Sequence, residues 1–205
     1  MNKLFLLFLF ISCGINNVKQ EKYVNGPSET KSKSDSALYH CIPKSDSIID
    51  ARNSVRYVVI DTFYTVKIRL DGLDTLLPYK FNCLVPEGLV PSVYSFSNNS
   101  FCLLRGAGFD YQEFTISYVE DNKIVLKYLE TAIVADLKRE IVAYRSGNAS
   151  DSIVVENFVS GQKKAFSLPQ EQQNLSIYKG VFKENNLVLF FSDDTQIKFV
   201  IPGAI

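Results

Sequence analysis

Phe114-Thr115-Ile116-Ser117-Tyr118-Val119-Glu120-Asp121-Asn122-Lys123-Ile124-Val125-Leu126-Lys127-Tyr128 is the stretch that decides the fold class of this 205-residue chain. Phe114, Ile116 and Tyr118 alternate with Thr115, Ser117 and Val119, a period of two that sends the two sets to opposite faces of a pleated strand. Asp121-Asn122 then supplies residue types that tolerate positive φ. The chain is expected to turn there and return through Ile124, Leu126 and Tyr128 as the second arm of a hairpin.

The same signal recurs on both sides. Residues 57–60 form a continuous run rich in β-branched side chains; Val66, Ile68 and Leu70 alternate with Thr65, Lys67 and Arg69; Phe81, Cys83 and Val85 alternate with Lys80, Asn82 and Leu84. Further strands are expected over 153–159, 165–168, 177–182, 187–191 and 197–201. With 11 Tyr, 15 Phe, no Trp and one Met, the composition suits half-buried pleated surfaces. Many short strands separated by Gly, Asn, Asp and Ser predict a mostly β chain, folded as an antiparallel sandwich or an open barrel. Residues 131–145 admit two readings. Ile133, Leu137 and Ile141 fall at helical spacing, whereas the pairs Ile133-Val134 and Ile141-Val142 fit two strands around a charged turn. Residues 182–189 look like a second copy of the 119–126 hairpin, and convergent turn chemistry explains that likeness better than duplication.

The amino terminus carries different information. Lys3, an unbroken apolar run over 4–11 and small Ser12 are the parts of a secretory signal peptide, and the run is shorter than the about 20 apolar residues a bilayer span needs. Residues 1–12 are therefore read as a leader. From 13 to 36 the composition is polar, with Gly26 and Pro27 and no apolar periodicity, as expected of a flexible tether. At about 5–6 Å times the square root of residue number, such a tether reaches some tens of ångströms. Residues 37–205 are read as a single all-β domain. Lys plus Arg equals Asp plus Glu at 22 each, and loss of Lys3 with the leader leaves the balance almost unchanged. That balance argues against a nucleic-acid partner and against a polybasic membrane patch.

Phe10-Ile11-Ser12-Cys13 resembles the lipobox of bacterial lipoproteins. The resemblance implies cleavage before Cys13, a diacylglycerol on its thiol and an acylated amino group, and two or more acyl chains hold a protein stably at a membrane. Gly14, rather than aspartate, follows the cysteine, which by the sorting rules of that family implies the outer membrane. Asp-Ser/Thr-apolar triplets at Ser36, Ser47, Thr75 and Ser152 resemble the acceptor that some bacteria use to O-glycosylate exported proteins, and they are also ordinary turn chemistry. Asn98, Asn148 and Asn174 head N-x-Ser triplets, which mean little in a bacterial lipoprotein.

With Cys13 lipidated, Cys41, Cys83 and Cys102 remain, enough for one disulfide in an oxidising compartment. Three pairings are open, and Cys83 with Cys102 is preferred because both lie in apolar, strand-like stretches. The alternative is three small buried residues. His40 and Cys41 are adjacent and would face opposite sides of a strand, which disfavours a catalytic dyad. No close-spaced ligand pair accompanies them, so no metal is expected. Arg105-Gly106-Ala107-Gly108 lacks the lysine and strand-to-helix setting of a phosphate cradle and reads as a turn, as does Asp193-Asp194. No cofactor motif is found.

The expected function is that of a lipid-anchored cell-envelope protein, tied to the membrane through its N-terminal lipid. Its non-enzymatic β-domain would bind a partner protein, a glycan or a small ligand. Two alternatives stay open: an envelope hydrolase whose carboxylates meet only in the fold, and a lipid or lipoprotein carrier with an apolar cavity.

Overall fold

The computed structural model describes residues 41–97, 99–106, 112–146 and 151–201. The residues read as leader and tether, with Cys13, Ser36 and His40, lie outside the described residues, as do Asn98, residues 107–108 and Asn148.

The described residues are mostly β, in four antiparallel sheets. The first holds β1 (Ser47–Ile48), β2 (Ser54–Ile60), β3 (Phe63–Leu70) and β4 (Leu73–Leu76). The second holds β5 (Ser92–Ser97), β6 (Ser100–Gly106), β7 (Gln112–Glu120) and β8 (Lys123–Leu129). The third holds β9 (Ala132–Asp136), β10 (Ile141–Arg145), β11 (Ser152–Asn157) and β12 (Lys163–Ser167). The fourth holds β13 (Ile177–Lys183), β14 (Asn186–Phe191) and β15 (Gln196–Val200). Within each sheet the strands pair in sequence order, because tight turns return the chain directly to its neighbour. Asp121 and Asn122 take φ of 49° and 59°, and Asp71 and Gly72 take 52° and 81°, the left-handed pair that matches strand twist.

The sheets stack in chain order, joined by three cores. Val55, Tyr57, Tyr64, Val66, Ile68 and Leu70 of the first sheet meet Phe101 and Leu103 of the second. Cys102, Phe114, Ile116 and Tyr118, on the other face of the second sheet, meet Ala132, Val142 and Phe158 of the third sheet and its flank. Ala143, Ile153 and Val155 then meet Leu187, Leu189 and Phe191 of the fourth. Sheets covered on both faces need apolar side chains at successive positions. Phe101-Cys102-Leu103 and Ile141-Val142-Ala143 are such runs, and all six residues are buried.

Three expectations are settled or corrected here. Over 131–145 the strand reading holds: β9 and β10 flank a turn in which Asp136 Oδ1 accepts hydrogen bonds from the backbone N–H of Lys138 at 3.1 Å and Arg139 at 3.3 Å. β-branched content prevails over helical spacing there, since Val134 within β9, Leu137 just after it and Ile141 at the start of β10 are all buried. The strand expected around residues 81–85 is absent. Only Phe81 pairs, in an isolated bridge with Tyr64, and Asn82 Oδ1 takes the Leu84 N–H at 2.9 Å, a local bond that competes with a ladder; Leu84 is 88% exposed.

The preferred Cys83–Cys102 pairing is also wrong. Cys41 is bonded to Cys83, with Cα atoms 5.1 Å apart, and Cys102 is a buried free thiol. Cys102 pairs across β6–β7 with Ile116 and so faces the third sheet, away from the first sheet that Cys83 flanks. Alternation along β6, and not its apolar character, decides the partner.

Gly180 on β13 lies against Ile133 and Val134 of β9, a close approach between layers. A Cβ placed there would lie 2.5 Å from Ile133 Cγ2 and 3.0 Å from Val134 Cγ1. Gly180→Ala is expected to destabilise the protein by about 1–3 kcal/mol through overpacking; a urea midpoint equal to that of the wild type would show that β9 and β13 are not in this contact.

Candidate functional site

Two carboxylates are buried in the stack, and each sits in a polar cluster. Glu113 is on β7 opposite Arg105, on the face that looks toward the first sheet. Its carboxylate accepts a hydrogen bond from the Tyr79 hydroxyl and lies 3.8 Å from the Arg105 guanidinium. That guanidinium covers the Tyr79 ring at 4.5 Å, and Tyr128 meets Tyr79 edge-on at 5.9 Å. Burial first, and then the hydrogen bond to Glu113 and its charge, push the Tyr79 phenol up, so it remains a proton donor to the carboxylate.

Glu156 is on β11 opposite Val142, facing the second sheet, and its side chain is 2% exposed. Lys127 reaches across from β8 to bond it; the Tyr144 hydroxyl donates at 2.7 Å; Lys163 lies at 3.3 Å. Burial alone would raise the Glu156 pKa, but the hydrogen bonds from Lys127 and Tyr144 and the charges of Lys127 and Lys163 outweigh it and hold the carboxyl below its usual range. Glu156 is therefore an ionised member of an interlayer clamp, and Glu113 is held in another by Tyr79 and Arg105. The two carboxylates also stand on opposite sides of the second sheet, in a stack whose layers are about 10 Å apart, so no shared bond can be flanked by both.

A groove of about 340 Å³ runs along the first strands of the second, third and fourth sheets. Ser95 and Phe96 come from β5, Val134 and Asp136 from β9, Gly180 and Phe182 from β13. Asp136 is held by Arg139 at 2.8 Å, and Arg139 lies 5.3 Å from the centre of the Phe182 ring while donating to the Glu184 carbonyl. The lining is mostly apolar, with Ser95, Ser97 and Lys138 among its polar residues, and its one carboxylate is already paired. It offers a surface for contact and no nucleophile with a base. The Cys102 thiol is pushed up by burial, so it is not a reactive thiolate.

The Asp-Ser/Thr-apolar triplets are scattered: Ser47 on β1, Thr75 on β4 and Ser152 on β11 are each half-buried within strands. Gly106 ends β6, paired with Gln112. Asp193 accepts from the Thr195 N–H at 3.1 Å and its hydroxyl at 2.6 Å, with Asp194 at φ 64°, which makes Asp193-Asp194 a turn. Among the described residues no group of three or more His, Cys, Asp or Glu is placed to hold a metal. Sequence reasoning missed Glu113 and Glu156. Their signal is a charge at an inward position of an otherwise apolar strand, as in Ile153-Val154-Val155-Glu156.

No protein-family model matches the chain, and no curated protein is similar to it. Among solved structures it is similar to the computationally designed Ika4 protein, at 16% identity over 76% of this chain and 96% of that one, with a TM-score of 0.35. A likeness that low carries no inference about function.

Proposed function

We propose that this chain is a lipid-anchored protein of a bacterial cell envelope whose stacked sheets form a non-enzymatic module for binding a partner protein. The filling of the stack supports this reading most. The interlayer spaces are occupied by three apolar cores, which leaves no wide apolar interior for a carried lipid among the described residues. Separation of the two buried carboxylates speaks against carboxylate hydrolysis. What the stack does offer is the outer face of a terminal sheet, with Tyr178 39% and Val200 67% exposed on the fourth. A glycan is less well served, since stacking on sugars favours Trp, which the chain lacks. The anchor is supported by Cys13 and its preceding tripeptide, and the tether by the polar composition of residues 14–36.

The test uses the purified full chain, immobilised and exposed to detergent-solubilised envelope proteins, in parallel with assays for turnover of envelope polymers. Saturable capture of one defined protein without polymer turnover is the expected result. Turnover with no protein captured would overturn the reading.

A further inference from the structure

We infer that the open edge of β15 is a strand-addition site for an extended acidic segment of a partner protein. This rests on the binding-module reading and names its contact.

The first three sheets have four strands each, whereas the fourth has three among the described residues. Two bonds fix which backbone groups of β15 have no partner among the described residues. The Phe191 N–H donates to the Thr195 carbonyl at 3.0 Å, and the Ile201 N–H donates to the Asn185 carbonyl at 2.7 Å. Odd-numbered residues thus turn toward β14, and by antiparallel alternation Gln196, Lys198 and Val200 turn their N–H and C=O groups to the open side. That is a row of three donors and three acceptors spaced as an added strand requires.

Charge then selects the occupant. The pairings Lys179↔Phe190, Val188↔Lys198 and Lys183↔Asn186 put Lys179, Lys198 and Lys183 on the outward face of the fourth sheet, one in each row across it. Among the described residues none of the three has a carboxylate within ion-pair distance. The neighbouring edge strand β12 adds Lys164, which sits 5.5 Å over the Phe166 ring; Phe166 in turn packs 5.1 Å from Phe199 of β15. An incoming strand therefore finds apolar Ile197, Phe199 and Phe166 on its inner side and Lys198 on its outer side. A segment alternating acidic and apolar residues matches both. A second copy of this chain does not, because antiparallel pairing of two β15 edges centred on residue 198 sets lysine against lysine.

Fluorescence anisotropy with the full chain and two labelled peptides tests this. One peptide alternates glutamate and valine over eight residues, and the other alternates lysine and valine. The acidic peptide should bind saturably and about ten-fold or more tighter than the basic one, equivalent to roughly 1.4 kcal/mol. Lys198→Pro removes an outward donor and no bond to β14, as edge strands tolerate; thermal stability should hold while affinity for the acidic peptide falls about ten-fold or more. Lys164→Glu with Lys198→Glu keeps the backbone row and should reverse the preference between peptides. Failure of both peptides to bind, or binding untouched by Lys198→Pro in a folded protein, would overturn the site. If the Lys198→Pro variant still captured the envelope partner, strand addition would fall and the binding-module reading would stand.

Discussion

Glu156→Ala is expected to cost about 3–5 kcal/mol of folding stability, because removing one member of a buried ion pair leaves the other desolvated without compensation. The Lys127 side chain, 24% exposed in the folded protein, would be left between the second and third sheets without its carboxylate, and the Tyr144 hydroxyl would lose its acceptor. Chemical denaturation of Glu156→Ala against the wild type reads the loss. Lys127→Leu with Glu156→Leu should recover most of it, since apolar replacement of a whole buried pair is often near neutral. If the single variant were as stable as the wild type, Glu156 would not be bridging the layers. The pH dependence carries a definite sign. The folded-state pKa of Glu156 is lowered, so its contribution is present above the unfolded-state carboxyl pKa and is lost as pH falls through the folded value. Stability of the wild type should therefore drop more steeply on acidification than that of Glu156→Gln.

Cys41→Ser should lower stability by about 4 kcal/mol on the chain-entropy account of a disulfide, given the 42-residue separation of Cys41 and Cys83. This cross-link ties residue 41, ahead of the first strand, to the segment after β4, which pairs with the first sheet through the isolated Tyr64–Phe81 bridge. Cys83→Ser should match Cys41→Ser in denaturation midpoint, and dithiothreitol should bring the wild type to the same value. Cys102→Ser removes no cross-link, and peptide mapping of that variant should still recover the Cys41–Cys83 bond. Recovery of a Cys83–Cys102 peptide from the wild type would refute the arrangement.

What could be read in advance follows the range of the interactions involved. The hairpin around Asp121-Asn122 is set by local alternation and local turn chemistry, and it forms β7 and β8 with those residues at positive φ. Residues 131–145 were ambiguous because a charged four-residue turn between two short strands also spaces apolar side chains at three to four residues. The alternation at 80–85 misled because Asn82 satisfies the backbone locally and Cys83 is fixed by a distant partner. Stacking of the sheets was not accessible at all. Whether Glu113 and Glu156 meet in one cleft or stand on opposite faces of the second sheet depends on which layer packs where, and no spacing along the chain encodes that. Cys102 shows the same limit, since its side of β6 decides its partner and only the register with Ile116 reveals that side.

The claim on which the functional reading depends is that Cys13 carries lipid. Cells producing the full chain or Cys13→Ala would be fed an alkynyl fatty acid, and the two proteins purified and compared for incorporated label and for the mass of the amino-terminal peptide. Label is expected on the wild type only, with a peptide beginning at an acylated Cys13. An unlabelled wild-type protein, or one that keeps residues 1–12, would contradict the claim.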